Sequence, residues 1–253
     1  MIISLITAVT IGAIAGYLGT LLITERMALV GGPLGHLALP GVALGILYGF
    51  DIFWGAVAAI VLGAAVIWLI NLSSRLPLEA VTAVVFAGTV AVGFLLLPMD
   101  EAEEALIGDI ADITLFDAVL AVLVSVVVFV LFRRLYNGIV LAGISEDIAV
   151  NRGVKVKLYR FLYLAAVALV VAMEVKLVGI LLTAALMAIP AAAAKGMVKS
   201  LAGYRITGAF AGGISAAGGL ALHWATALPA GPLIILSAAA IFFVTLVQGN
   251  FKP

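Results

Sequence analysis

The chain has no cysteine, which excludes disulfides and thiolate metal ligands and leaves the redox compartment open. Charge is scarce: 13 Lys and Arg against 13 Asp and Glu in 253 residues, cancelling to zero. A water-soluble domain of this length needs a much larger charged skin. Zero net charge also argues against a nucleic-acid partner. Histidine occurs only twice, at His36 and His223, and no His-Glu-x-x-His is present. Neither is a Gly-rich phosphate loop ending in Gly-Lys-Ser/Thr, so ATP is not bound in that manner. With no credible Ser/His/Asp arrangement either, the chain is expected not to be an enzyme and to bind no cofactor of its own.

What fills the chain is apolar sequence. Two-thirds of it (66%) is hydrophobic and the mean hydropathy is +1.34, so lipid is its natural solvent. In lipid every backbone polar group must be paired internally. Runs of about 17 to 23 residues match one helical crossing each. Barrel strands would be shorter and would alternate, and no alternation is seen. The expectation is an all-α polytopic bundle with one domain over 1–253 and no internal repeat. Nine crossings are read, at 3–22, 33–50, 53–71, 78–98, 113–132, 158–175, 178–194, 206–224 and 231–248. The sixth and seventh are separated only by Val175, Lys176 and Leu177, so eight crossings is the alternative. No basic region precedes the first apolar run, which reads as a retained helix rather than a cleaved signal.

The basic residues orient this bundle. With the N-terminus outside, Arg26, Arg75, Arg133, Arg134, Arg152, Lys155, Lys157, Arg160, Lys195, Lys199, Arg205 and Lys252 all fall on the cytoplasmic side. Lys176 alone falls outside. This predicts a multi-pass protein of the cell membrane with a cytoplasmic C-terminus. The acidic 99–112 loop is then external and reads as a solvated loop.

The longest cytoplasmic segment, 133–160, contains a predicted short helix. Ser145 is a capping residue followed by Glu146 and Asp147, which suit a helix N-terminus. Ala149 and Val150 offer a small apolar face, and Gly153 stops the helix. Docking onto a soluble partner and lying on anionic lipid are both compatible with this pattern.

His36 lies in GGPLGHLALPG (31–41), inside the second crossing. An ionisable group there faces an aqueous path or a partner. Neutral imidazole ligates transition metals, and helices loosened by Gly and Pro line transport sites. A packed histidine bonded to a backbone carbonyl is the plainer reading. His223, beside Trp224, reads as an outer-gate ligand or as an interfacial anchor. Glu174 and Lys176 read as solvated, and Asp117 as a helix-end contact. Small residues such as AGGISAAGGLA (211–221) predict close helix packing, within one chain or between copies.

Four segments together resemble the membrane permease subunits of bacterial and archaeal ABC importers for zinc, manganese and iron. They are ERMALVGGPLGHLALPGVALG (25–45), ALIGDIADITLFD (105–117), ISEDIAVNRGVKV (144–156), and VGILLTAALMAIPAAAA (178–194) followed by LPAGPLIIL (228–236). The resemblance implies a dimer of permeases with a substrate path along its axis. It implies two cytoplasmic ATPase subunits, an external metal-binding protein, and a divalent metal, zinc or manganese, as cargo. It places His36 on the path, where His223 stays a further candidate from its position in the chain alone, and coupling to the ATPase on Glu146, Asp147, Ala149 and Gly153. The chain departs from the family pattern at Gly32 and Ala227, where acids usually stand. A chelate permease and an ion-gradient-driven transporter remain the alternatives.

Overall fold

In a computed structural model of the chain, residues 1–24, 33–74, 76–97, 113–180 and 182–247 are described. These residues are helical apart from short connections. The helices are α1 (Ile2–Thr24), α2 (Leu39–Tyr48), α3 (Ile52–Ser73), α4 (Leu78–Leu96), α5 (Leu115–Ile144), α6 (Glu146–Asn151), α7 (Val156–Val178), α8 (Thr183–Met197), α9 (Leu201–Thr226) and α10 (Ala230–Val247). One further helical turn, 33–36, precedes α2.

Side-chain caps mark where several helices begin. Asp51 Oδ1 accepts from the Phe53 N–H at 2.8 Å, and Ser200 Oγ accepts from the Gly203 N–H at 3.0 Å. At α5, Thr114 and Asp117 close a reciprocal capping box. Each cap satisfies backbone donors that a helix start leaves open, which matters most where no water is at hand.

The core is organised around α1, which packs against α5, α7, α8 and α9, while α10 packs against α8 and α9. The α1–α9 seam is glycine against glycine. A side chain on Gly12 would strike Gly212, and one on Gly16 would strike Gly208. Those pairings run in opposite chain directions, so the two helices are antiparallel with their backbones in contact. Gly219 similarly lies against Ile234 of α10. The small-residue stretch at 211–221 is thus used for packing within the chain.

On the other flank α2, α3 and α4 pack together and join the core through α3 and α7. Of the full-length helices α7 is the most enclosed and α4 the most exposed.

Among the described residues seven helices are long and apolar enough to cross a membrane: α1, α3, α4, α5, α7, α9 and α10. The segments 33–48 and 183–197 coincide with two predicted crossings but are shorter: the first is broken at Leu37 and Ala38, and the second begins only after the break at Gly179. Other boundaries move too. The fifth predicted crossing, ending at 132, continues unbroken to Ile144. Its 30 residues rise about 45 Å, beyond the ~30 Å hydrocarbon layer. The break between the sixth and seventh falls at Gly179, after Lys176, so Lys176 sits in the last turn of α7.

Candidate functional site

His36 sits at the end of the one-turn helix 33–36, just before a turn at Leu37 and Ala38. The cause of the break is Pro40. It has no N–H to give the carbonyl four residues back, which is that of His36, and its ring crowds that carbonyl. The chain closes instead through tighter bonds: the Ala38 N–H donates to the Gly35 carbonyl at 3.1 Å. Regular helix resumes with the Val42 N–H donating to the Ala38 carbonyl at 2.9 Å.

The break lies at mid-height in the bundle. Leu37 packs on Gly63, near the centre of α3. The half-buried His36 ring meets the Phe86 ring, near the centre of α4, edge to face with centroids 5.4 Å apart.

A second break abuts the first. α7 ends at Gly179, whose φ of 77° is open mainly to glycine, and α8 begins at Thr183. A side chain on Gly35 would strike the Thr183 hydroxyl, so the two breaks touch through a position where only hydrogen fits. Thr183 is buried, and its hydroxyl donates to the Ile180 carbonyl at 3.2 Å. Interrupted backbone at membrane depth is tolerated where it is enclosed by protein or lines a cavity, and paired interruptions commonly frame a transported ion. The second break carried a weaker signal in the sequence, the lone Gly179 in an apolar run.

His223 is elsewhere, in the last turn of α9. Its Nδ1 lies 2.6 Å from the Leu228 carbonyl oxygen. A carbonyl only accepts, so Nδ1 carries the proton and donates. Ala227, one of the two departures from the family pattern, adopts a left-handed conformation (φ 57°) that ends α9. The other, Gly32, lies outside the described residues, as do Arg26, Arg75, Lys252 and the acidic loop from Asp100 to Asp112. Among the described residues no three His, Asp or Glu converge into a metal-holding group.

The expectation that Glu174 and Lys176 are solvated is corrected. Glu174 is fully buried in α7, and neither carboxylate oxygen has a hydrogen-bond partner among the described residues. Lys176 Nζ donates to Asp117 Oδ2 at 2.8 Å and stands 5.6 Å from the centroid of the Phe53 ring. Asp117 also accepts from the Thr114 N–H at 2.7 Å, so it ends a helix and pairs a cation at once.

At the basic end, α6 forms as the sequence predicts, with Ser145 Oγ accepting from the Ile148 N–H at 3.4 Å. Its C-terminus is a Schellman motif: the Val154 N–H donates to the Ala149 carbonyl and the Gly153 N–H to the Val150 carbonyl, both at 2.9 Å. Gly153 has the φ of 79° this requires. Glu146 Oε2 lies 3.9 Å from an Arg160 nitrogen, tying α6 to α7. The apolar face is not the expected Ala149 with Val150. Ala149 is wholly buried within the chain, whereas Ile144, Ile148 and Val150 are exposed. The reason is helical phase: Ala149 points back into the bundle, and residues one position to either side point out.

The chain is similar to known proteins along its whole length. The sequence profile of the ABC 3 transport family matches residues 1–249. The manganese transport system membrane protein MntC of Listeria monocytogenes is 27% identical over 248 residues, covering 96% of this chain and 89% of that protein. The high-affinity zinc uptake system membrane protein ZnuB of Haemophilus influenzae is 27% identical over 254 residues, covering 97% and 96%. Among solved structures, PsaBC from Streptococcus pneumoniae in complex with Fab superposes with a TM-score of 0.82 at 27% identity, covering 96% of this chain and 89% of that one.

Proposed function

The chain belongs to the ABC 3 transport family, and from that premise we propose that it is the membrane-spanning permease of an ATP-driven importer for manganese or zinc. The observation that carries this reading is the contact between two helix breaks, one of which holds His36 at mid-height. A neutral imidazole binds a soft or borderline divalent cation without a fixed charge. One such ligand per protomer holds the ion weakly, as a conduit that must release its cargo requires. Two copies facing each other across a two-fold axis would supply two nitrogens to one path.

In this reading the chain hydrolyses no ATP. Two cytoplasmic ATPase subunits act on the α6 region, where Glu146, Asp147 and Gly153 set the position and cap of a short helix. Ile144, Ile148 and Val150 supply its exposed apolar contact. An external binding protein delivers the metal at the opposite end, near Asp117 and Lys176. The N-terminus lies outside and the C-terminus in the cytoplasm, which puts Arg133, Arg134, Arg152, Lys155, Lys157, Arg160, Lys195, Lys199 and Arg205 on the inner side. The nine apolar segments then alternate across the bilayer, two of them reaching only part of the way as helix.

The test is uptake of radioactive manganese and zinc into proteoliposomes containing the chain, its ATPase and its binding protein. Uptake of either ion that requires ATP hydrolysis is expected. Vigorous ATP hydrolysis without uptake of either ion overturns the assignment of cargo and favours a metal chelate.

A further inference from the structure

Between α1, α5 and α9 lies an apolar groove that the transport reading leaves unused. Its volume is about 650 Å³. Ile14 and Tyr17 form the floor; Val126 and Phe129 of α5 and Ile206 and Phe210 of α9 form the walls. The floor residues are buried and the wall residues are exposed, so the groove opens sideways, toward the surroundings of the bundle.

Two arginines stand at one end of it. Arg133 follows Phe129 by one helical turn, and Arg205 precedes the groove-lining Ala209 by one, so both share the groove's faces. The Arg205 guanidinium carbon lies 5.3 Å from the Tyr136 ring centroid, and that ring meets the floor residue Tyr17 edge to face with centroids 5.9 Å apart. Arg133 comes 18 residues after Leu115, a rise of about 27 Å, so it reaches the headgroup level when α5 crosses the bilayer. A hydrocarbon groove capped by two cations at headgroup depth matches a molecule with an apolar chain and an anionic head.

We propose that this groove binds an anionic phospholipid, its acyl chain between α1, α5 and α9 and its phosphate on Arg133 and Arg205. A second copy of the chain is the competing occupant, and the geometry disfavours it. A two-fold axis through the groove would face one concave surface with another and bring four guanidinium groups together.

The experiment is native mass spectrometry of the full chain after incubation in mixed micelles holding equal phosphatidylglycerol and phosphatidylcholine. The wild type is expected to retain phosphatidylglycerol preferentially. Arg133→Gln is expected to lower that preference about fivefold, and Arg205→Gln by a similar factor. Arg134→Gln, one residue round the same helix, leaves it unchanged, and Ala209→Phe, which fills the groove, lowers retention of both lipids. Arg133 is exposed, so its variant keeps the test valid if the Arg205 variant misfolds. No preference in the wild type, or an equal loss in Arg134→Gln, overturns the proposal. Efficient disulfide cross-linking between copies through Phe210→Cys also overturns it, by assigning the groove to a second copy.

Discussion

Lys176 and Asp117 are joined at 2.8 Å across the end of the bundle, tying the last turn of α7 to the first turn of α5. Both side chains are largely enclosed, and Asp117 also completes the α5 capping box. Asp117→Ala removes the cap and strands the lysine. It is expected to cost about 2–3 kcal/mol, read as a lowered thermal unfolding midpoint in detergent. Adding Lys176→Met to that variant recovers part of the loss, because no unpaired cation is then left behind.

Glu174, two residues before that lysine, has no such partner. Its carboxylate is buried with neither oxygen bonded among the described residues. Glu174→Leu removes the cost of keeping polar oxygens dry and is expected to stabilise the fold by about 1–3 kcal/mol. A lowered unfolding midpoint would show that the carboxylate is satisfied by a group beyond the described residues.

Ala227 holds a left-handed conformation at the end of α9, which strains any residue with a side chain. Ala227→Gly relieves the strain at some cost in chain entropy, so a net gain of about 0.5–1 kcal/mol is expected. Unfolding curves of the purified variant check it.

His36→Ala is expected to lower ATP-dependent uptake of manganese or zinc at least tenfold, a loss of about 1.4 kcal/mol in barrier terms. Assembly with the ATPase is expected to stay intact, because His36 lies in the second apolar segment and not on α6. Uptake that is unchanged across metal concentrations removes His36 from the path.

At the basic end, Ile148→Asp puts a charge on the exposed face of α6 without touching its core. It is expected to weaken ATPase binding by about 1–3 kcal/mol, measured by co-purification and by loss of uptake-coupled ATP hydrolysis. Ala149→Arg is a poorer probe: Ala149 is buried inside the chain, so that variant disrupts α6 itself.

Much of this was legible from residue order. The apolar runs between 3 and 248 become helices because lipid leaves the backbone no other way to pair. Pro40 four residues after His36 marks a break in the second segment, and Ser145 with Gly153 brackets α6, because caps and prolines act over a single turn. The enclosure of Glu174 and Lys176 is not legible in residue order, for the same reason of range. Asp117 of α5 and Phe53 of α3 hold Lys176, and Glu174 is enclosed by the packed bundle; neither is set by residues nearby in sequence. Ala149 and Ile148 were indistinguishable until the helix was set against α5, since six residues carry no readable period.

Residue order alone set the helical class, the membrane as solvent, the basic end of the bundle and the Pro40 break, whereas the second break fell later than residue order placed it, at Gly179. These rest on composition and on contacts within a turn or two. Only the tertiary structure decided that Gly35 lies on Thr183, that Gly12 and Gly16 close on Gly212 and Gly208, and that Asp117 holds Lys176. Those pairings depend on which helix faces join, a property of the packed bundle that no local stretch encodes.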